Sequence, residues 1–198
     1  MGSLSPPSLI VELSNRIAAN TAKIDNYLKS HNLPKPSFDV HGPQESQIPP
    51  HETEIEAARV AIIDDTDELR RLILGPRDHL LRNTYNELSS HQAITHFRIV
   101  HSFPVGKEAT FSEIAATTGL EESNVRQFIR HAIVYGIFIE PRPGIVAHNV
   151  TSRLLAEDEI MHDWLGHVTN ETWMAAAHGV EALVKYPGSE EPNECVSL

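Results

Sequence analysis

The chain has 198 residues, with 16 Lys and Arg against 27 Asp and Glu, and its formal net charge is −11. Proteins that bind nucleic acid need a basic face, because neutralising phosphates supplies most of their affinity, so this balance argues against a nucleic-acid partner. The sequence contains no apolar run of about eighteen residues, and we predict no membrane-spanning helix.

Cys195 is the one cysteine, so an internal disulfide is excluded, which is typical of a reducing compartment such as the cytoplasm. It begins a four-residue ending, Cys195–Leu198, that has the form of a geranylgeranylation signal. The residues just before it are acidic, whereas lipid anchors of this kind are usually preceded by basic residues. We therefore predict neither an anchor nor a membrane partner.

The first predicted element is an amphipathic helix over residues 8–30, with Ser8 as its N-cap. The segment 31–51 contains five prolines and is predicted to be a non-helical linker. A lone helix of this length is marginal in water, so its apolar stripe needs a partner surface. That surface belongs either to the same chain or to a second subunit, and we interpret residues 1–30 as an N-terminal dimerisation helix.

Three more helices are predicted before residue 103. The first runs from about Glu52 to Leu74 and is ended by Gly75-Pro76. The next covers 77–88, with Pro76 at its first helical position, and the third covers 90–102.

Residues 110–150 have the pattern of a winged helix-turn-helix. Residues 110–119 predict a short helix that ends in glycine, and 120–136 predict a longer helix with apolar residues three or four apart. Two β-branched runs on either side of Pro141–Gly144 predict a hairpin, the wing. The predicted fold class is mostly α, with a helical and winged-helix dimerisation domain over 52–150.

Such a module binds either DNA or another protein chain. From Glu108 to Arg153 there are five acidic and four basic residues, and the second helix opens with Glu121 and Glu122. A DNA-reading helix places its first residues between two phosphate backbones, where carboxylates are repelled. The sequence favours a structural or protein-contact role, and a DNA-binding regulator remains the alternative.

The last region, 151–198, is predicted to hold a short helix over 152–159 and one long apolar helix over 162–186. This long helix carries a stripe rich in aromatic residues and methionine, which either lines a pocket for a flat aromatic ligand or fills a core. The substrate-contact candidates on the stripe are Met161, Trp164, His167, Val168, Trp173, Met174 and Ala177.

The sequence offers no recognisable catalytic apparatus. The chain has twelve histidines, but His91, His96 and His101 recur every five residues and do not stack on one helix face. The sequence shows no HExxH motif, no cysteine pair and no clustered carboxylates, and we predict no metal site. No glycine-rich phosphate or dinucleotide loop is present, so no cofactor-binding residue and no catalytic residue is assigned.

Several long segments together carry a family resemblance. They are "EIEAARVAIIDDTDELRRLILGPRDHLL", "FPVGKEATFSEIAATTGLEESNVRQFIRHAIVYGIFIEP" and "TSRLLAEDEIMHDWLGHVTNETWMAAAHGVEALVKYPGSEEPNE". These segments, with the linker "LPKPSFDVHGP", resemble the N-terminal region of fungal, plant-type S-adenosylmethionine-dependent O-methyltransferases, the sterigmatocystin methyltransferase-like group. The resemblance covers nearly the whole chain.

The resemblance implies a homodimer formed through a winged-helix region that does not bind DNA and that forms one wall of the acceptor-substrate pocket. Enzymes of this group continue into a Rossmann-like domain that holds S-adenosylmethionine and the catalytic histidine, and no residue here matches those motifs. We therefore expect no methyl transfer by this chain alone, and S-adenosylmethionine only if a catalytic domain is present. Whether the chain is an enzyme stays open.

Three functions follow from these observations. The first is a dimerisation and substrate-contact domain of an O-methyltransferase-like protein of fungal secondary metabolism, with an aromatic or polyketide-like substrate. The second is a standalone small-molecule binder, or a non-methylating catalyst such as a cyclase, that uses the same apolar surface. The third is a DNA-binding winged-helix regulator.

Overall fold

The structure is a computed structural model that describes residues 7–82, 87–189 and 191. It is mostly α-helical with one small antiparallel sheet, which confirms the prediction of a mostly α fold. The contacts divide the chain into two compact units: residues 1–37 with 42–84, and residues 38–41 with 85–198. No helix in the described part of the chain is long and apolar enough to cross a bilayer. The functional division at residues 30, 51 and 150 stays a prediction, and Cys195 lies outside the described residues.

The first unit is a pair of packed helices, α1 (Leu9–Ser30) and α2 (Thr53–Leu81). Helix α1 begins where the sequence predicts, although the side chain of Ser8 makes no capping hydrogen bond. Leu13 and Leu28 are buried, so α2 supplies a partner surface for α1 within the same chain. The guanidinium of Arg16 on α1 donates hydrogen bonds of 3.0 and 2.6 Å to the two carboxylate oxygens of Asp65 on α2.

The predicted break in α2 is present at Gly75, whose φ of 69° and ψ of 167° are not helical. The two helices that follow are shorter than predicted. Helix α2 ends at Leu81 instead of residue 88, and α3 (Glu87–His96) already begins at Glu87. The predicted helix over 90–102 is cut short because the backbone at Arg98 is left-handed, with φ 48°, and a 3₁₀ turn over Ile99–His101 follows.

The second unit contains the helix pair and hairpin that the sequence predicts. The strand β1 (Glu108–Thr110) leads into α4 (Phe111–Thr118), and α5 (Glu122–Val134) precedes β2 (Ile139–Arg142) and β3 (Ile145–Ala147). The strand order is β1-β3-β2, and both pairings are antiparallel. The sequence analysis missed β1, because three residues are too few to show an alternating pattern.

Local signals explain the limits of α4. The hydroxyl of Thr110 accepts a hydrogen bond from the backbone N–H of Glu113, and the Glu113 carboxylate accepts one from the Thr110 N–H, which is a complete capping box. Gly119 ends the helix in the left-handed conformation, with φ 75°, which glycine adopts without strain.

The core of the second unit lies where α3, α4, α5 and the sheet meet. Its members are apolar side chains with at most a tenth of their surface exposed. They are Ile94, Ile99, Val100, Phe103, Ala109, Phe111, Ile114, Ala115, Val125, Ile129, Ala132, Ile137, Phe138, Val146 and Leu155.

The region after the sheet is a series of short helices. They are α6 (Val150–Glu157), α7 (Glu159–His167), a π-helical turn (Val168–Thr172), α8 (Trp173–Ala177) and α9 (Gly179–Lys185). The prediction of one uninterrupted helix over 162–186 is therefore wrong.

Hydrogen bonds within the segment account for the start of α7 and for the π turn that follows it. The Asp158 carboxylate caps α7 by accepting from the N–H groups of Ile160 and Met161, so the helix starts before residue 162. In the π turn, the hydroxyl of Thr169 donates to the Leu165 carbonyl, and the Asn170 amide donates to Gly166. Such side-chain bonds to helix carbonyls compete with the regular backbone ladder and bend helices.

The hairpin gives a prediction on acid stability. The Glu140 carboxylate accepts from the Arg130 guanidinium at 2.8 and 2.9 Å and from the Gly144 N–H at 2.7 Å, and these bonds lower the pKa of Glu140 from 4.5 to about 2. Its stabilising contribution is therefore complete above pH 4.5 and is lost as the pH falls from 4.5 towards 2. We expect Glu140→Gln to lower the free energy of unfolding at pH 7, and the difference from wild type to shrink across that window.

Urea titrations at several pH values measure this difference. The control is Glu45→Gln, an exposed carboxylate in the proline-rich segment. A Glu140→Gln effect that is the same at pH 3 as at pH 7 would contradict the assignment.

Candidate functional site

One face of α7 and of the following π turn is fixed to the rest of the second unit. His162 and Thr169 are buried, and Leu165 between them packs against the core. Gly166 lies against α3 so closely that a Cβ added there would be 3.9 Å from the Cβ of Thr95. Because these residues are three or four apart, they form one side of the helix, and the opposite side points away from the core.

None of the seven predicted substrate-contact residues belongs to the core, although Trp173 follows the buried Thr169 by four residues. His167, Val168 and Trp173 are half-buried, and Ala177 is exposed. The exposed fractions of the other three are 36% for Met161, 60% for Trp164 and 51% for Met174. The stripe is therefore a surface of this chain, and its role in binding a substrate stays a prediction.

Further apolar side chains extend this surface in both directions along the segment. They are strongly exposed and lie on α7 and α9: Ile160, Val180, Leu183 and Val184. Isolated exposed apolar residues are ordinary on protein surfaces, whereas several of them on one short segment are typical of surfaces that contact a partner or a ligand. We call the seven candidates together with these four residues the outer apolar face.

Trp164 and His167 are the two candidates that the structure brings together most clearly. Their ring centroids are 5.9 Å apart, and the Nδ1 atom of His167 lies 3.2 Å from a Glu171 carboxylate oxygen. The π turn divides the stripe between α7, the turn itself and α8. The stripe is therefore not the straight line that a single helix would give.

A cleft of ≈ 380 Å³ opens beside the π turn. The Gln92 amide donates a 2.9 Å hydrogen bond to the Asn170 side-chain oxygen at this cleft. Small-molecule sites are commonly a few hundred Å³ in volume, and π turns are frequent at functional positions. Sequence reasoning missed the cleft because its walls come from α3, α5 and the π turn. The lining residues are Ser89, Gln92, Ala93, His96, Phe97, Phe128 and Asn170.

The arginines of the helix pair and hairpin are bound to carboxylates. Arg126 pairs with Glu122 one turn away on α5, and Arg130 pairs with Glu140 of the hairpin. Arg142 pairs with Glu108 across the sheet. A DNA phosphate would have to displace a carboxylate from each of these guanidinium groups, which weakens the electrostatic attraction that DNA binding requires.

A group of possible metal ligands lies at the start of α7. One ligand atom each from Glu159, His162 and Asp163 lies within 4.8 Å of the others. The Arg98 guanidinium bonds both oxygens of Glu159, at 2.8 and 3.0 Å, and this pairing lowers the pKa of that carboxyl. The sequence analysis predicted no metal site, because it found no HExxH motif, no cysteine pair and no cluster of carboxylates. The spacing of positions 159, 162 and 163 on one helix was the signal that could have revealed the group.

Comparison with known proteins points to one enzyme class. The chain is 43% identical over 188 residues to the O-methyltransferase pyvH of Aspergillus violaceofuscus, and 38% identical over 194 residues to the O-methyltransferase AMT9 of Alternaria alternata. It is 36% identical over 173 residues to the grayanic acid biosynthesis cluster O-methyltransferase of Cladonia grayi. These alignments cover 94%, 96% and 87% of this chain, but 43%, 45% and 37% of the relatives.

The chain therefore spans less than half the length of the curated relatives that it matches. No protein-family profile matches the sequence. Among solved structures, OxaC superposes with a TM-score of 0.67 at 17% identity, over 91% of this chain and 40% of OxaC. OxaC in complex with SAH and oxaline gives a TM-score of 0.63. The homologues are thus fungal O-methyltransferases, and the structural match shows a shared fold.

The exposure of Trp164 leads to a stability prediction. Because its side chain is mostly in solvent, we expect Trp164→Ala to lower the free energy of unfolding by less than about 1 kcal/mol. The control is Leu155→Ala on α6, whose side chain is 5% exposed and whose loss leaves a cavity worth about 2–5 kcal/mol. Urea unfolding followed by circular dichroism measures both. A loss of about 3 kcal/mol or more for Trp164→Ala would show that this residue is part of a core.

Proposed function

We propose that the chain is the dimerisation and substrate-contact region of an O-methyltransferase-like protein of fungal secondary metabolism. The outer apolar face is the observation that carries this proposal, because its aromatic and methionine side chains lie outside the core. The similarity to fungal O-methyltransferases over 94% of the chain supports the enzyme class.

The dimer part of the proposal rests on the first unit. Two helices alone form a single layer, and stable domains bury each apolar face against a second layer. Ile63 on α2 is 53% exposed, and it lies two residues, about 200° of helix rotation, from Asp65, which faces α1. We infer that a second copy of the chain covers this side of α2. The other exposed apolar residues of the unit are Leu9, Ile10, Val11, Val60, Leu72, Ile73, Leu80 and Leu81.

The helix pair α4–α5 and the β2–β3 hairpin have the order and local structure of a winged helix, and we infer that the module is one. We propose that this module serves as a scaffold for contacts with protein. Its arginines at positions 126, 130 and 142 are paired with carboxylates, and its longer helix begins just after Glu121. Both features disfavour DNA as the partner of this module.

We propose that the substrate-contact surface takes a flat aromatic or polyketide-like molecule. Indole rings and thioethers suit such ligands, because they offer large polarizable contact areas. Trp164, Trp173 and the two methionines at 161 and 174 supply these groups on one segment. The half-buried Trp173 and Val168 would form the floor of the contact, and the exposed Trp164 its rim.

Enzymes of the fungal O-methyltransferase group that the sequence resembles use S-adenosylmethionine. The described residues do not form a binding site that fits this cofactor. Cofactors of this kind bind at the carboxyl ends of a parallel sheet, beside a glycine-rich loop. The sheet of the described part of the chain is antiparallel with three short strands, and the ten glycines of the sequence are scattered. We propose that these 198 residues alone neither hold the cofactor nor transfer methyl groups. The proposed location is the cytoplasm.

The dimer is tested by light scattering at micromolar concentration. We expect twice the chain mass of 22.1 kDa for wild type. Ile63→Glu should shift the protein towards monomer, because a charge placed in an apolar interface loses its hydration.

The control for this test is Phe38→Glu, which adds the same charge at a phenylalanine of the proline-rich segment that is 81% exposed. It should leave the mass unchanged. A wild-type protein that is monomeric at this concentration, or an Ile63→Glu variant that dimerises as wild type does, would contradict the dimer proposal.

Substrate contact is tested with flat, polyketide-like phenols, by following tryptophan fluorescence during titration. We expect a saturable response that Trp173→Ala and Met161→Ala each weaken, while circular dichroism shows an intact fold. Val134→Ala on α5, at a valine that is 77% exposed and outside the outer apolar face, is the matched control. Calorimetry with S-adenosylmethionine should show no heat of binding. Fluorescence that no phenol changes would refute the contact role, and measurable S-adenosylmethionine affinity would refute the cofactor part.

A further inference from the structure

His162 is an unusual buried residue in this chain. Its side chain is 6% exposed, and neither ring nitrogen has a hydrogen-bond partner in the described structure. A buried polar group without a partner costs about 1–3 kcal/mol, and an apolar side chain of similar size would avoid that cost. A buried imidazole without a protein partner is explained if one of its ring nitrogens bonds a group from outside the protein, such as a metal ion.

Two carboxylates, of Glu159 and Asp163, lie near His162. Its Nδ1 atom lies 3.8 Å from an Asp163 carboxylate oxygen, which is too long for a hydrogen bond. Zn²⁺ bonds nitrogen and carboxylate oxygen at about 2.0–2.2 Å, so two of its ligand atoms lie about 3–4 Å apart. The spread of 4.8 Å among the ligand atoms of Glu159, His162 and Asp163 requires only a small side-chain adjustment to reach that geometry.

The surroundings of the group hold it in place and leave one side open. Glu159 and Asp163 have side-chain exposures of 58% and 77%, so water can reach the carboxylates. Arg98 bonds both oxygens of Glu159, and each oxygen keeps a lone pair for another bond. Ligating carboxylates are commonly oriented by such outer contacts.

A second histidine stands beside the group. The ring of His101, in the 3₁₀ turn, lies 5.4 Å from the ring of His162 between centroids, at an interplanar angle of 68°. Two imidazoles on one tetrahedral ion have about this separation, given a metal–nitrogen distance of about 2.0 Å. The Nε2 atom of His101 lies 3.3 Å from an Arg98 guanidinium nitrogen, which donates to it, so this atom joins the ligand set only if it gives up that bond.

We propose that Glu159, His162 and Asp163 bind one Zn²⁺ ion, with the remaining position open to water or to His101. The mixture of an imidazole with carboxylates favours zinc over the alkaline-earth ions, which take oxygen ligands. All three residues belong to α7, at positions 159, 162 and 163, so the ion would cross-link the first turn of that helix.

The test is a zinc titration of the full chain after its metal has been removed with a chelator. Zinc chloride is added in competition with a chromophoric chelator, and we expect one equivalent to bind tightly. Asp163→Asn is the decisive variant, because this exposed side chain can lose its charge without disturbing the fold. It should weaken zinc binding at least about tenfold, the loss that even residues outside the ligand set produce. His162→Leu should remove the site.

The chain has twelve histidines, so background binding needs a control. His178→Ala removes an exposed histidine that pairs with Glu181 at 3.1 Å on another helix, and it should bind zinc as wild type does. Cobalt gives a second readout, because a tetrahedral site produces strong visible absorption that Asp163→Asn should abolish. Absence of tight binding by wild type, or equal affinity in wild type and Asp163→Asn, would overturn the proposal. Circular dichroism shows whether the His162→Leu variant is folded. If that variant is unfolded, the zinc affinity of Asp163→Asn alone tests the proposal.

Discussion

Val125, Ile129 and Ala132 lie on one face of α5 and are completely shielded from solvent. The core that they form with the sheet and α3 determines the arrangement of the second unit, because each later element packs on what this core leaves uncovered. Helix α6 contributes Leu155 to its edge, and α7 adds Leu165. With its inner side occupied in this way, α7 has to present its other side outward.

The outward side of α7 connects the fold to the proposed function. If packing against the core were the only requirement on α7, its outward side would carry polar residues. Instead it carries Ile160 and Trp164, which are 80% and 60% exposed. The same imbalance is present in the first unit, where α2 has apolar residues directed away from α1. Burial of apolar area yields about 25 cal/mol per Å², so such surfaces favour association with a second copy or a ligand. A dimerisation and substrate-contact region accounts for both surfaces.

The elements with strong local signals could be predicted from the sequence. Thr110 and Gly119 mark the ends of α4, and Gly75 breaks α2 where its position suggested. The seven stripe residues were selected from composition and periodicity, and the structure adds that they lie outside the core. The role of these residues in ligand binding remains a prediction.

The features that the sequence did not predict depend either on contacts between separate elements or on side-chain hydrogen bonds that compete with the backbone bonds of one helix. Strand β1 exists because residues 108–110 pair with β3, some 35 positions later, and three residues alone carry no periodicity. The π turn depends on the side chains of Thr169 and Asn170 bonding to helix carbonyls, which a hydrophobic pattern does not show. The Gln92–Asn170 cleft and the His101–His162 pair each join residues more than sixty positions apart.

The central claim is that the side of α7 bearing Trp164 is an uncovered contact surface. Acrylamide quenching of a Trp173→Phe variant, in which Trp164 is the only tryptophan, measures its accessibility directly. The account predicts quenching close to that of free tryptophan in the ligand-free chain, and protection once a flat phenol is bound. Emission that is shielded from acrylamide before any ligand is added would show that Trp164 is already buried, which would contradict the account.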